Sequence, residues 1–298
     1  MAVIEVEHLS KQFGKKVRAV DDVTFSVEAG TITGFLGPNG AGKTTTLRML
    51  VDLVRPTSGS CRVLGGRYRD LARPATRVGA LLDASGFHPG RSGRNALRVI
   101  AAGAGLPDPR VDAALEMVEL GGAARRAVKG YSSGMRQRLA LAAALLGDPE
   151  VLLLDEPANG LDPEGIRWLR GFLRERAAEG RTVLISSHVL AEVEQTVDDV
   201  LIIAKGRLLA QGPISKLAAG AAPVIRARSP QAERLEALLR ASGAAVNRLD
   251  TALAVRGPSA ATVGDLAAAN GIALHELLTE QASLEDLFLQ IAGTRRDA

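Results

Sequence analysis

The sequence is short of several residue types, and each shortage excludes something. It holds one cysteine, Cys61, so no internal disulfide can form. Aromatic residues are 3% of the chain, which leaves little for stacking nucleic-acid bases. Basic residues occur as pairs such as Lys15-Lys16 and Arg125-Arg126 with no dense run, and the net charge is +4. A solvated surface with a slight surplus accounts for that balance, so no nucleic-acid partner is expected. Long apolar runs are missing too. The longest, "LALAAALL" from Leu139 to Leu146, falls far below the roughly 20 residues of a membrane-spanning helix. The opening "MAVIEVEHLSKQFG" carries no basic-then-apolar signal segment. Together these absences predict a soluble protein of a reducing cytoplasm.

What is present is apolar mass. With 46% hydrophobic residues over 298 positions, the chain can bury a sizeable core, as one large domain or two smaller ones. "VIEVEHL" and "VTFSVEAG" alternate apolar and polar residues, the period of a half-buried antiparallel sheet. "TITGFLG" then runs into a glycine loop, and "KTTTLRMLVDLV" continues as a helix. Residues 85–147 read as helices separated by Gly and Pro, a helical subdomain inserted into an α/β core. The core resumes with "VLLLDEP", a helix over about 163–178, and "TVLISSH". The two apolar runs suit buried parallel strands. "DVLIIAKGRLLAQG" reads as a hairpin turning at Lys205-Gly206.

Residues 211–222 read as a linker or a short helix. Beyond them the pattern restarts as β-α-β-β-α-β and closes on a helix in "SLEDLFLQIAG". That order resembles a ferredoxin-like α+β module over 223–298, with a helix starting at Pro230. At about 75 residues such a module is near the lower size for a self-sufficient core. The expected domains are therefore 1–215 and 223–298.

The glycine loop "GPNGAGKTT" matches G-x-x-x-x-G-K-[ST] in a strand–loop–helix context. Its residues Gly37, Pro38, Asn39, Gly40, Ala41, Gly42, Lys43, Thr44 and Thr45 are expected to bind nucleotide. The loop N–H groups cradle phosphates, Lys43 reaches the β and γ phosphates, and the Thr44 hydroxyl goes to Mg²⁺. "VLLLDEP" supplies two carboxylates at a strand end: Asp155 for Mg²⁺, and Glu156 as general base for the attacking water. A pair of helix-capping acids is the plainer alternative. His188 ends the next strand, where it either contacts the γ phosphate or satisfies itself among polar groups. His8, His88 and His275 are expected to be structural. Further along, "SSGMRQRLALA" opens a helix with small residues, a second anion-binding turn without a lysine.

With these motifs in order, residues 2–215 resemble an ATP-binding cassette (ABC) ATPase, the nucleotide-binding subunit of an ABC transporter. The resemblance rests on residues 37–45, on "YSSGMRQRLALA" as signature motif, and on "LLLDEPANGLDP" followed by His188. It implies a P-loop NTPase fold with a RecA-like mixed sheet, an antiparallel β subdomain and a helical subdomain. It also implies that two subunits meet head to tail around ATP and Mg²⁺. Ser132 and Gly134 would then grip the γ phosphate bound by the opposite subunit, which supplies its own lysine. By the same resemblance Asp162 belongs to a loop crossing the dimer seam, and Phe13 stacks on adenine unless it is an ordinary core aromatic.

Two departures stand out. The family signature reads Leu-Ser-Gly-Gly-Gln, where this chain has Tyr131-Ser132-Ser133-Gly134-Met135. In "VGALLDASGFHP", Asp83 aligns with a family glutamine that reaches Mg²⁺; it takes that role or is an ordinary loop acid. "GALLDASGFHPGRSGRNAL", "YSSGM" and the small C-terminal module are similar to ATPases of the bacterial ABC-2-type drug and bacitracin exporter group. The expected function is an ATP-hydrolysing homodimer that powers a separate membrane-spanning permease. It would sit in the cytoplasm on the inner face of the cell membrane, docking through the helical subdomain and the loop around Asp83. The family suggests a packing or dimer-regulating role for the C-terminal module. A soluble ABC ATPase acting on DNA or ribosomes, and a module that holds ATP without turnover, are the alternatives.

Overall fold

The computed structural model describes residues 1–280 except 15, 85, 221–222 and 250–251. The expected last helix, 283–293, lies outside the described residues. Two compact units are present, Met1–Pro213 and Ile214–Ala298.

The first unit runs β1 (Ala2–Phe13), β2 (Val17–Glu28), β3 (Ile32–Leu36), α1 (Lys43–Leu50), β4 (Ser58–Val63), β5 (Val78–Leu81). Three helices follow: α2 (Gly93–Gly103), α3 (Pro109–Met117) and α4 (Ser133–Leu145). Then come β6 (Val151–Asp155), α5 (Pro163–Ala178), β7 (Thr182–Ser187), α6 (Leu190–Glu194), β8 (Asp199–Ala204) and β9 (Arg207–Pro213).

Six of these strands form one mixed sheet in the order β5-β6-β7-β3-β8-β9, parallel except for the β8–β9 hairpin. Every residue of β3 and β7 is buried, as expected of parallel strands covered on both faces. A second sheet, β2-β1-β4, is antiparallel. Its inward residues Ile4, Val6, Val23 and Phe25 share one core with Phe35 of β3 and Leu47 and Leu50 of α1. Phe25 and Phe35 meet with ring centroids 5.6 Å apart. The antiparallel sheet thereby backs the loop between β3 and α1.

The helical stretch has its own hold. Ser92 caps α2 by accepting from the Asn95 N–H. Arg94 of α2 bonds Asp112 of α3 at 2.6 Å and Asp108 at 2.8 Å, and Arg98 bonds Asp108 at 2.7 Å. These hydrogen bonds hold Asp108 and Asp112 below the usual carboxylate range.

Two strands have no forerunner in the sequence reading. β4, "SGSCRV", is an edge strand poor in β-branched residues, so it lacks the usual pattern. β5, "VGAL", is short and contains Gly79. A Cβ on Gly79 would lie 2.1 Å from the Ala144 carbonyl oxygen, so the glycine serves the close approach of α4 rather than the strand.

The second unit runs α7 (Ile214–Gly220), β10 (Val224–Arg228), α8 (Ala232–Ala241), β11 (Ala245–Leu249), β12 (Ala252–Arg256), α9 (Ala260–Ala269) and β13 (Glu276–Glu280). Its sheet, β11-β12-β10-β13, is antiparallel throughout, with two helices in the β-α-β-β-α-β order of a ferredoxin-like module. Ile225, Val246, Leu253 and Val255 pack with Leu235, Leu239 and Val263 of the helices. The stretch read as a linker or short helix holds α7. The helix expected from Pro230 starts at Ala232 instead: Ser229 Oγ accepts from the Gln231 N–H, making a polar turn that absorbs the proline first.

Candidate nucleotide site

The phosphate loop leaves the end of β3 and wraps back onto its own lysine. Gly42 has φ 107, and a Cβ there would lie 2.4 Å from the Ala19 carbonyl oxygen. A Cβ on Gly37 would lie 2.1 Å from the carbonyl oxygen of Ile203. Side chains at either position would therefore collide with flanking backbone, which keeps the loop narrow. Ala41 is buried and its carbonyl accepts from the Gly206 N–H, while Asn39 and Gly40 are exposed at the loop tip. Gly42 caps α1 without a side chain, and no acid occupies the first turn. Thr45 lies in that turn, so the helix start presents backbone N–H groups of positive polarity. This cradle fits phosphate.

Lys43 is 5% exposed. Its Nζ donates to the carbonyl oxygens of Gly37 at 2.6 Å and Pro38 at 3.3 Å. The same ammonium lies 3.3 Å from Glu156 Oε1.

Parallel register brings the remaining groups to the same sheet edge. Leu36 of β3 stands opposite Ser187 of β7, and Ser186 opposite Asp155 of β6. Thr44 Oγ1 donates to Asp155 Oδ2 at 2.6 Å, and Ser186 Oγ donates to Asp155 Oδ1 at 2.5 Å. Glu156 Oε2 lies 2.8 Å from His188 Nδ1. Among the described residues no group of three or more His, Cys, Asp or Glu side chains gathers as a metal site. The oxygen pair Thr44–Asp155 nevertheless fits Mg²⁺, which binds through few protein oxygens and keeps waters and substrate phosphates as its other ligands.

Asp83 is exposed, just beyond β5. β5 is parallel to β6 with Leu81 opposite Leu154, so Asp83 follows at the edge where Asp155 stands. Phe13 ends β1 and is 45% exposed, with Lys11 Nζ 5.0 Å from its ring centroid. It is a surface aromatic, and the core alternative does not apply.

The second anion turn lies elsewhere. Ser132 caps α4, its Oγ accepting from the Met135 N–H at 3.1 Å. Ser132, Gly134, Arg138, Gly160 and Asp162 line an open cavity of about 480 Å³. Asp162 caps α5 by accepting from the Gly165 N–H at 2.7 Å. Among the described residues, no hydrogen bond or ion pair of Ser132 or Gly134 reaches the phosphate loop. The cavity that Ser132 and Gly134 line does not include Lys43 among its lining residues.

Two residues escaped the sequence reading. Ser186, fully buried, ties Asp155 to the backbone of Glu156 through its hydroxyl. Its signal is the pair of serines that ends β7 just before His188. Gln137, 7% exposed, donates to the Glu156 carbonyl at 3.3 Å. Nothing in its surroundings in sequence marks that contact, which joins α4 to the residue that follows the next strand, β6.

The chain is similar to known proteins over most of its length. The family described as ABC transporter matches residues 20–159, and a domain of unknown function (DUF8746) matches residues 223–285. The chain is 41% identical over 218 residues to the bacitracin transport ATP-binding protein BcrA of Enterococcus faecalis, covering 72% of this chain and 70% of that protein. It is 33% identical to the Nod factor export ATP-binding protein I of Ralstonia nicotianae, over 98% of this chain and 94% of that one. Among solved structures, the ATP binding subunit of an ABC transporter superposes with TM-score 0.66 at 28% identity, covering 74% of this chain and 95% of that one. The chain thus belongs to the ATP-binding subunits of ABC transporters, a family of ATPases coupled to transport.

Proposed function

We propose that this chain hydrolyses ATP as a head-to-tail homodimer and powers an exporter whose membrane pathway belongs to a separate permease. The observation that carries the reading is the division of labour. Lys43, Thr44, Asp155, Glu156 and His188 meet on one sheet edge, while Ser132 and Gly134 line another cavity. A site split in this way is completed by a second copy.

In this reading the loop N–H groups and Lys43 hold the β and γ phosphates, and Phe13 offers its exposed face to adenine. Thr44 and Asp155, with Asp83 beside them, would hold Mg²⁺, which when bound neutralises charge on the phosphates. Glu156 accepts a proton from water as the water oxygen bonds to the γ phosphorus. The bond from that phosphorus to the bridging oxygen breaks, and ADP and phosphate leave. His188 is anchored through Nδ1 to Glu156, so its Nε2 is the nitrogen presented to the γ phosphate. Ser132 and Gly134 grip the γ phosphate held by the opposite subunit, and Asp162 lies along the seam.

The relatives are named for bacitracin transport and Nod factor export, and the second of these names supports export over import. They weigh against the alternative of acting on DNA or ribosomes. No helix among the described residues is long and apolar enough to cross a membrane; in this reading the chain attaches to the inner face of the cell membrane through the permease. The test is an affinity pull-down of the Glu156→Gln chain, with ATP, from detergent-solubilised membranes of its host. A multi-span membrane protein at near-equal amounts is expected. Recovery with ribosomes or DNA and no membrane protein would overturn the reading.

A further inference from the structure

Glu156 stands in the left-handed backbone region with φ 48, a conformation that a non-glycine residue keeps where its surroundings hold it. Each polar group of its main chain has a side-chain partner, and the carbonyl also accepts from the Asn159 N–H at 3.1 Å. Its N–H donates to Ser186 Oγ at 3.0 Å, and its carbonyl accepts from Gln137 Nε2 at 3.3 Å. Gln137 is the polar member of an otherwise apolar buried set on α4: Leu139, Ala140, Leu141, Ala142, Ala144 and Leu145. An amide buried among such neighbours needs a partner, and the Glu156 carbonyl is that partner. The helix that carries Gln137 is the one Ser132 caps.

We infer that Gln137 is a positioning residue for the general base, tying the helix of the signature turn to the main chain of Glu156 in the same subunit. The inference rests on the reading of Glu156 as base. The Ser186 and Gln137 bonds hold the backbone turn that aims one carboxylate oxygen at Lys43 and the other at His188. Without the Gln137 bond the carbonyl keeps only the Asn159 N–H of its own loop, its tie to α4 is lost, and the aim of the carboxylate loosens. Nucleotide binding does not run through Gln137, so the loss falls on turnover.

The test is steady-state ATPase, ATP binding and thermal unfolding of the full chain carrying Gln137→Met, which keeps the bulk and removes the donor. kcat is expected to fall about tenfold with ATP affinity and Tm unchanged. Gln137→Lys, which keeps a donor of similar reach, is expected to recover most of that loss. In a Glu156→Gln background, single-turnover hydrolysis is expected to show no further loss on adding Gln137→Met. Wild-type kcat in Gln137→Met overturns the inference. So does a Lys variant no better than Met, or an equal loss in both backgrounds, the mark of a merely structural role. Failure of the underlying reading is separate: Glu156→Gln alone would then turn over ATP at the wild-type rate.

Discussion

The Lys43 ammonium lies 3.3 Å from the Glu156 carboxylate, and the lysine is 5% exposed while the glutamate side chain is 19% exposed. Two residues far apart in sequence thus share one charge pair at the mouth of the phosphate loop. The carboxylate also holds His188, so three of the groups expected to act on ATP form one connected cluster.

That cluster predicts different losses for its members. Glu156→Gln keeps the shape but not the base, so phosphate release is expected to fall at least about 100-fold while ATP binding persists. Lys43→Ala removes the cation that meets the phosphates and leaves Glu156 without its partner. Both binding and release are expected to fail. Equilibrium dialysis with labelled ATP beside a phosphate-release assay checks the contrast.

The Thr44–Asp155 bond at 2.6 Å predicts a metal phenotype. Thr44→Val is nearly isosteric but loses the oxygen, so half-maximal ATPase is expected to need about ten times more Mg²⁺. Asp83→Ala is expected to weaken Mg²⁺-dependent hydrolysis more than Asp83→Gln. A Mg²⁺ titration of each variant reads both effects; equal, near-wild-type activity in the two Asp83 variants would remove Asp83 from the metal site. Chelation of Mg²⁺ is expected to stop turnover.

Cys61 offers a pH prediction. Burial pushes its thiol from the ordinary 9.0 up to about 11, with nearby Asp52 adding to the shift, and its Sγ faces the Met49 carbonyl at 3.4 Å. A raised value means that the folded state holds the proton more tightly than the unfolded chain. The contribution to stability is complete below pH 9 and is lost as pH rises toward 11. Alkylation of native protein at pH 8 is expected to be far slower than in urea, with its midpoint displaced toward 11.

Trp168 is the one tryptophan in the chain, which makes α5 readable by fluorescence. The Arg138 guanidinium carbon lies 4.2 Å from the Trp168 ring centroid, and the same side chain bonds the Glu119 carboxylate at 2.5 Å. Arg138 therefore joins α4 to α5 and to the end of α3. Arg138→Ala is expected to cost about 1–2 kcal/mol of stability and to shift tryptophan emission to the red. Urea unfolding followed by fluorescence measures both.

Much of this was legible from local pattern. The β3–loop–α1 unit, the strand ending in Asp155-Glu156 and the hairpin at Lys205-Gly206 lie where apolar period and glycine spacing placed them. The helix over Pro163–Ala178 starts where Asp162 and Pro163 make a capping signal. β4 and β5 were not legible, because one is an edge strand and the other a short strand shaped by the helix beside it. Their register comes from partners rather than from their own residues.

By itself the sequence determined the chemical inventory: one lysine in a glycine loop, two adjacent carboxylates after an apolar strand, and a small-residue turn at a helix start. Spacing is a property of the chain, and these groups act through backbone geometry that spacing controls. Only the tertiary structure decided which of them meet. Parallel register set Ser186 beside Asp155, the path of α4 brought Gln137 to the Glu156 carbonyl, and the signature turn came to line a cavity of its own. Contacts between elements far apart in sequence depend on how strands pair and helices pack, and no local period encodes them.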